Sequence, residues 1–248
     1  GLLPPPSYFG ANVAMNKSGY NSFETVLTQG MRAFSASEFE LIAEETSALI
    51  LDTRNNAEFC KGFIPQSINI GIQGDFAPWV GALIGDVQQA ILLVTELGKE
   101  EETVTRLSRV GFDNIIGHLQ GGIEAWKKEN KDLDTVNRIT ATQFESDLKI
   151  GENKVIDLRR PSEYAAEHID EAYSRPLADI NSWIKDINPQ EHIYIHCAGG
   201  YRSMIAASIL QARGYRNFTE VEGGFSAISK TNIPKTDFIC QSKLSTVN

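Results

Sequence analysis

The sequence predicts an α/β protein with two related domains, each a mainly parallel β-sheet flanked by helices. First, residues 34–72 align without gaps on residues 139–177, an internal repeat at an offset of 105 positions (139 − 34). Second, short runs of continuous apolar residues alternate with stretches of helical period in each copy. Continuous apolar character is typical of strands buried on both faces, as in parallel sheets covered by helices.

The repeat is a domain duplication, since its period far exceeds that of solenoid repeats. Segment 51–54 (Leu-Asp-Thr-Arg) matches 156–159 (Ile-Asp-Leu-Arg), and a Gly-Gly pair closes each copy, at 121–122 and 223–224. A helix is predicted at 203–213, with Gly214 as its C-cap. We predict the buried strands at 48–51, 91–95 and 114–118 in the first copy and at 154–157, 192–196 and 217–221 in the second. We expect these segments: a connector at 1–33, domains at 34–130 and 138–234, a polar linker at 131–137 and a tail at 235–248.

Composition narrows the classes of partner. The net charge of −9 disfavours nucleic acid and anionic membranes, which bind clustered Lys and Arg. There is also no apolar run near the roughly 18 residues of a membrane span. Cys60, Cys197 and Cys240 are widely spaced, without a disulfide or metal pattern, which favours a reducing cytoplasm. The four histidines lack metal-ligand spacing, so we expect no metal and no cofactor.

The candidate active site is the loop that begins at Cys197. The apolar run 193–196 leads into this cysteine, which is followed by Gly199, Gly200 and a predicted helix. Such a loop directs backbone N–H groups and the positive end of a helix dipole at one sulfur atom. These conditions favour a thiolate and hold an anion beside it.

The motifs of the second copy resemble those of a rhodanese (sulfurtransferase) domain. They are Asp157-x-Arg159, Glu163-Tyr164, His168-Ile169, Cys197-x-x-Gly200-x-Arg202-Ser203 and Glu222-Gly223-Gly224. The resemblance covers about 137–234, and a weaker version covers about 34–130. It implies two five-stranded rhodanese-like domains, and a cysteine that takes a sulfane sulfur as a persulfide and passes it to a nucleophilic acceptor.

In this interpretation Cys197 and Arg202 are the catalytic residues. Cys197 is the nucleophile, and the Arg202 guanidinium offers a forked cation to thiosulfate, sulfite or a carboxylate-bearing thiol. The loop amides hold the negative charge of the persulfide. Ser203 is expected to cap the helix and to bond the sulfur. The anion-binding loop comprises Ala198, Gly199, Gly200, Tyr201 and Ser203, with unusual dihedrals expected at both glycines and Tyr201 expected at the mouth.

Three further residues are expected to support the loop. Asp157 and Arg159 have repeat counterparts in a copy without the cysteine, which favours an architectural pair. For Arg159, substrate contact remains an equal alternative. His196 is interpreted as strand packing or a supporting hydrogen bond rather than as a proton carrier.

The first copy is predicted to be catalytically inactive, with a structural or interfacial role. Thr95 stands where the cysteine is expected, and the loop is predicted to be one residue shorter. Four glutamates and one lysine in 96–102 would repel a sulfur-containing anion.

Two other functions remain open. Cysteine-dependent phosphatases place five residues between Cys and Arg, whereas four separate Cys197 from Arg202, so phosphatase or arsenate reductase activity is a lesser alternative. A non-catalytic persulfide carrier, sensor or interaction module is the other.

The N-terminal residues carry a second resemblance. Segments 2–9 and 16–20 resemble the connector of metallo-β-lactamase–rhodanese fusions. This implies that 1–33 is the remnant of a fused hydrolase domain and that a persulfide dioxygenase-like hydrolase is a partner. The expected substrates are small sulfur-containing anions or thiols.

Overall fold

The computed structural model of the chain describes residues 22–148 and 154–239. It divides into two compact units, Gly1–Thr135 and Val136–Asn248. Each unit contains a five-stranded sheet in which every strand pairing is parallel, flanked by helices. The predicted fold class is therefore confirmed.

The first unit has the sheet order β1-β5-β4-β2-β3. Its strands are β1 (Ala33–Phe34), β2 (Leu49–Asp52), β3 (Ile68–Asn69), β4 (Ile91–Val94) and β5 (Ile115–Leu119). Its helices are α1 (Phe23–Gly30), α2 (Ala36–Thr46), α3 (Asn56–Phe59), α4 (Phe76–Leu83), α5 (Glu100–Ser108) and α6 (Gly122–Lys128).

The second unit repeats this topology with the order β6-β10-β9-β7-β8. Its strands are β6 (Arg138–Ile139), β7 (Lys154–Asp157), β8 (Tyr173–Ser174), β9 (Ile193–His196) and β10 (Phe218–Val221). Its helices are α7 (Ala141–Leu148), α8 (Pro161–Ala166), α9 (Ile180–Trp183), α10 (Tyr201–Ala212) and α11 (Gly224–Ile228), with 3-10 turns at Leu177–Asp179 and Ile184–Asp186.

The central strand of each sheet is buried along its whole length. All four residues of β4 and all four of β9 are buried, as their continuous apolar character predicts. Helix α10 is buried from Ser203 to Gln211, and a helix covered on all sides has no solvent-facing stripe. The core of the second unit therefore fixes both the strand before Cys197 and the helix after it.

Part of the predicted connector 1–33 folds with the first unit. Helix α1 packs against β5 and α5. Gly30 lies so close to Val104 that an added Cβ would be 2.8 Å from a Val104 methyl group. Residues 1–21, which carry the resemblance to a hydrolase connector, lie outside the described residues.

The described part of the predicted tail continues along the second unit. Thr236 N–H donates to the His168 carbonyl at 2.9 Å, and Ile239 N–H donates to the Ala166 carbonyl at 2.7 Å. Cys240 lies outside the described residues. Within 22–148 and 154–239, no helix has the length and apolar character needed to cross a membrane.

Candidate active site

Cys197 lies at the carboxyl end of the central strand of the second unit. Strand β9 ends at His196, which pairs in register with Asp157 at the end of β7. Only 1% of Cys197 is exposed. Ligand sites of open α/β sheets lie at this edge, so the topology places the cysteine where such a site is expected.

The loop after Cys197 brings one backbone amide onto the sulfur. Gly200 N–H donates to Cys197 Sγ at 3.1 Å, and Gly200 has a φ of 102°, a conformation that favours glycine. Gly199 was also expected to need unusual dihedrals, and this is wrong. It is absent from the positive-φ residues of the chain, and an added Cβ would meet nothing within 4 Å.

The expectation that Ser203 caps the helix is also wrong. Helix α10 begins at Tyr201, and Gly200 occupies the N-cap position, so Ser203 lies inside the first turn. Its hydroxyl oxygen is 3.4 Å from Cys197 Sγ, as expected for a contact with the sulfur. The Ser203 hydroxyl also donates to Glu220 Oε1 at 2.6 Å.

Glu220 is a site residue that the sequence reasoning missed. It is fully buried in β10, and its Oε2 accepts a hydrogen bond from Arg138 Nε at 2.7 Å. Burial raises the pKa of the Glu220 carboxyl, and the bonds from Ser203 and Arg138 oppose that rise. A charged residue within the otherwise uncharged strand 218–221 was the available signal.

Arg202 is paired with a carboxylate of helix α8. Its Nη1 donates to Glu163 Oε2 at 2.6 Å and its Nη2 donates to Glu163 Oε1 at 2.8 Å. The side-chain hydrogen bond from Arg202 is the main reason that the pKa of Glu163 falls to about 2. The guanidinium fork therefore faces Glu163, and its charge is largely balanced within the protein.

Asp157 and Arg159 form a buried pair behind the loop. Arg159 Nε donates to both carboxylate oxygens of Asp157, at 3.0 and 2.9 Å, and its Nη2 donates to the Glu167 carbonyl at 2.7 Å. In the first unit, Asp52 and Arg54 make the same bonds, with the Gly62 carbonyl as the second acceptor. This equivalence supports the architectural interpretation of both residues.

His196 is enclosed in the core beneath the loop. Its Nδ1 is 3.3 Å from the Cys197 carbonyl oxygen. Its Nε2 has no hydrogen-bond partner among the described residues and lies 3.9 Å from Asp157 Oδ2. Burial is the main cause that lowers the pKa of His196, so a neutral ring is favoured. This geometry supports a packing role rather than proton transfer.

The segment around the Gly-Gly motif after β10 packs against the cysteine loop and hydrogen-bonds to it. Phe225 N–H donates to the Cys197 carbonyl at 2.7 Å. Gly224 has a φ of 53°, and an added Cβ would lie 2.3 Å from that same carbonyl oxygen. Glycine is therefore required here by both backbone conformation and space.

The first unit has the same scaffold without the cysteine. Asp52 pairs with Val94 as Asp157 pairs with His196, so Thr95 occupies the position of Cys197. The predicted shorter loop is wrong: four residues separate Thr95 from α5, whereas three separate Cys197 from α10. The helix that follows is the shorter part, since α5 has nine residues and α10 has twelve.

The first turn of α5 is acidic. It carries Glu100, Glu101 and Glu102, and Glu102 pairs with Lys99 and Arg106. Across the described ranges of both units, no group of three or more His, Cys, Asp or Glu residues is placed to hold a metal ion.

Comparison with known proteins identifies the family. A model of the rhodanese-like domain matches residues 35–129 and 140–231, so the chain belongs to the rhodanese-like family. Over 90 residues it is 31% identical to the uncharacterized protein YqhL of Bacillus subtilis (strain 168), covering 36% of this chain and 71% of YqhL.

Two further proteins show more distant similarity. The putative sulfur carrier protein YrkF of the same strain is 25% identical over 96 residues, covering 38% of this chain and 52% of YrkF. The crystal structure of a thiosulfate sulfurtransferase from Pseudomonas aeruginosa is 16% identical with a TM-score of 0.38, covering 85% of this chain and 44% of that one. The chain thus spans about half the length of these two proteins.

Proposed function

We propose that the second unit is a sulfurtransferase that carries a sulfane sulfur on Cys197, and that the first unit is catalytically inactive. The observation that carries this proposal is the Gly200 N–H, 3.1 Å from Cys197 Sγ, at the start of α10. An amide and a helix N-terminus directed at one sulfur stabilise a thiolate or a persulfide anion.

The proposed reaction has two steps. The Cys197 thiolate attacks the sulfane sulfur of thiosulfate or of a low-molecular-weight persulfide. The bond between Cys197 Sγ and that sulfur forms, and sulfite or a thiolate leaves with the electron pair of the broken bond. A nucleophile such as sulfite, cyanide or a thiolate then attacks the outer sulfur, and Cys197 leaves as a thiolate.

The substrates follow from the size and charge of the loop. We infer small sulfur-containing anions or thiols, because the four residues between Cys197 and Arg202 form a shorter loop than a phosphatase requires. The pairing of Arg202 with Glu163 disfavours any anion held by that guanidinium, thiosulfate as well as phosphate or arsenate, so we assign the substrate charge to the backbone N–H groups of the loop. We further propose a cytoplasmic location and a functional link to a persulfide dioxygenase-like hydrolase, on the basis of the cysteine pattern and of the N-terminal resemblance.

A persulfide carrier is the second candidate. It is favoured by the similarity to YrkF, whose name describes a putative sulfur carrier. A carrier would take up sulfur on Cys197 without multiple turnovers, whereas an enzyme would release product repeatedly.

Measuring sulfur loading and turnover in the wild type and in Cys197→Ser distinguishes a sulfurtransferase from a persulfide carrier. The protein is incubated with thiosulfate or glutathione persulfide, followed by cyanide or sulfite, and product is measured together with the mass of each cysteine peptide. We expect the wild type to turn over and to carry one added sulfur atom at Cys197. In the variant we expect no turnover and no added sulfur at position 197. Equal transfer by the two proteins would reject the proposal, and loading without turnover would favour the carrier.

A further inference from the structure

A continuous line of buried polar contacts leads away from Cys197 into the sheet. Cys197 Sγ is 3.4 Å from Ser203 Oγ, and the Ser203 hydroxyl donates to Glu220 Oε1 at 2.6 Å. Glu220 Oε2 accepts from Arg138 Nε at 2.7 Å. Ser203 and Glu220 have no exposed surface, so only protein groups mediate the connection between the sulfur and the carboxyl.

A carboxyl group at this depth is costly for the fold. Removing a carboxylate from water carries a desolvation penalty that one ion pair offsets only in part. Arg138 on β6 and Ser203 on α10 stabilise the ionised form of Glu220. Burial is the main cause that raises its pKa, and Glu222, directly after β10, contributes least. These opposing effects bring the ionised and the protonated forms of the Glu220 carboxyl closer in free energy.

The first unit shows that the fold does not need this carboxyl. Ala33 pairs with His118 at the position where Arg138 pairs with Glu220 in the second unit. His118 and Ala33 therefore replace Glu220 and Arg138 in the copy whose cysteine position is Thr95. The buried Asp–Arg pair is kept in both units, so the Glu220 contacts accompany the cysteine rather than the scaffold.

We propose that Glu220 is a positioning residue that holds, through Ser203, the proton that Cys197 releases on becoming a thiolate. The S–H bond breaks as its proton moves to Ser203 Oγ, and the Ser203 proton moves to Glu220 Oε1, where a new O–H bond forms. The negative charge passes from Glu220 to the sulfur, which Gly200 N–H and α10 stabilise. The net charge of the buried cluster is unchanged, which matters because nearly all of Cys197 is withdrawn from solvent.

The proposal depends on the proposed function only in that Cys197 reacts as a thiolate. When the outer sulfur is passed on and Cys197 is released, the same path returns the proton from Glu220 to the sulfur. No oxidant, reductant or further reactant is required for either transfer.

The test is the pH dependence of Cys197 alkylation by iodoacetamide, an uncharged electrophile that the thiolate attacks with loss of iodide. The Cys197 peptide is quantified by mass spectrometry, so that Cys60 and Cys240 do not interfere. In the wild type the cluster shares one proton over a range of pH, and we expect less than about a threefold change in rate between about pH 6 and about pH 8. In Glu220→Gln the proton must leave to solvent, and the rate should rise about tenfold per pH unit.

Two further variants complete the test. Ser203→Ala breaks the path but keeps the ion pair of Glu220 with Arg138, and we expect the same steep dependence; it decides the matter if Glu220→Gln fails to fold. Glu222→Gln is the matched control, since this 59% exposed side chain lies 3.6 Å from Arg138 and is not part of the contacts to Ser203. We expect it to keep the shallow wild-type profile.

The proposal would be overturned if the alkylation rate of Glu220→Gln and Ser203→Ala rose with pH no more steeply than that of the wild type. A rate that these variants reduce by the same factor at every pH would also overturn it. Alkylation requires no sulfur transfer. A wild type with the shallow profile that transfers no sulfur would therefore reject the proposed function and leave the role of Glu220 intact.

Discussion

Cys197 is only 1% exposed, so a charge on its sulfur has to be stabilised mainly by protein groups. Gly200 N–H and the Ser203 hydroxyl contact it directly. The loop is held in turn by the Cys197 carbonyl, which accepts a hydrogen bond from Phe225 N–H. Reactivity at this residue therefore depends on the exact path of a few backbone atoms.

Gly224 gives a direct test of that dependence. In Gly224→Ala the new methyl group would lie 2.3 Å from the Cys197 carbonyl oxygen, at a φ of 53°. We expect the variant to lose about 1–3 kcal/mol of stability and to lose sulfur-loading rate as the loop shifts. Urea unfolding and persulfide mass spectrometry measure the two effects.

Gly199→Ala is the matched control for stability. Its added Cβ meets nothing within 4 Å, so we expect a change in unfolding free energy within about 0.5 kcal/mol. If Gly224→Ala were as stable as the wild type, the close approach of the two loops would not be the reason for the Gly-Gly pair.

At the scale of elements, the site is assembled by contacts between segments that are distant in sequence. The strand, loop and helix around Cys197 could be predicted because they are consecutive, and their apolar runs and glycines are local signals. The partners of Arg202 and Ser203 could not, because Glu163 lies 39 positions away and Glu220 lies 17 positions away. Such pairings depend on how α8 and β10 pack beside α10, which periodicity does not reveal.

The ion pair between α8 and α10 predicts a pH-dependent stability. The pKa of Glu163 is about 2 in the folded protein, below its ordinary value of 4.5. The stabilisation is therefore complete above about pH 4.5 and is lost as the pH falls from 4.5 towards 2. Allowing for solvent screening of a side chain that is 28% exposed, we expect it to be worth about 1–2 kcal/mol.

Urea unfolding of the wild type and Glu163→Gln at a series of pH values measures this contribution. The wild type should be the more stable protein near pH 6, and the difference should shrink below about pH 4.5. Glu58→Gln is the control, because Glu58 is the repeat counterpart of Glu163 but pairs with Lys61 on the surface, where the two side chains are 57% and 66% exposed. A difference that does not vary with pH would argue against the ion pair as its source.

At the scale of the whole molecule, two copies of one fold differ in the charges around one position. Both keep the parallel sheet, the Asp–Arg pair and the paired glycines. The copy with Cys197 has Arg202 in the first turn of its helix, whereas the copy with Thr95 has three glutamates there. The difference identifies which features serve the scaffold and which accompany the thiol.

This contrast predicts that a cysteine alone does not convert the first unit into a sulfur-carrying site. Thr95 is 3% exposed and close to cysteine in size, so Thr95→Cys should fold. In a Cys197→Ser background we expect no added sulfur at residue 95 after incubation with thiosulfate, measured by peptide mass spectrometry. The acidic first turn of α5 repels the anionic donor, and His118 takes the place of Glu220. The wild type and Cys197→Ser alone set the upper and lower limits of sulfur loading. Loading at residue 95 comparable to that of wild-type Cys197 would show that the surrounding charges do not decide where sulfur is carried.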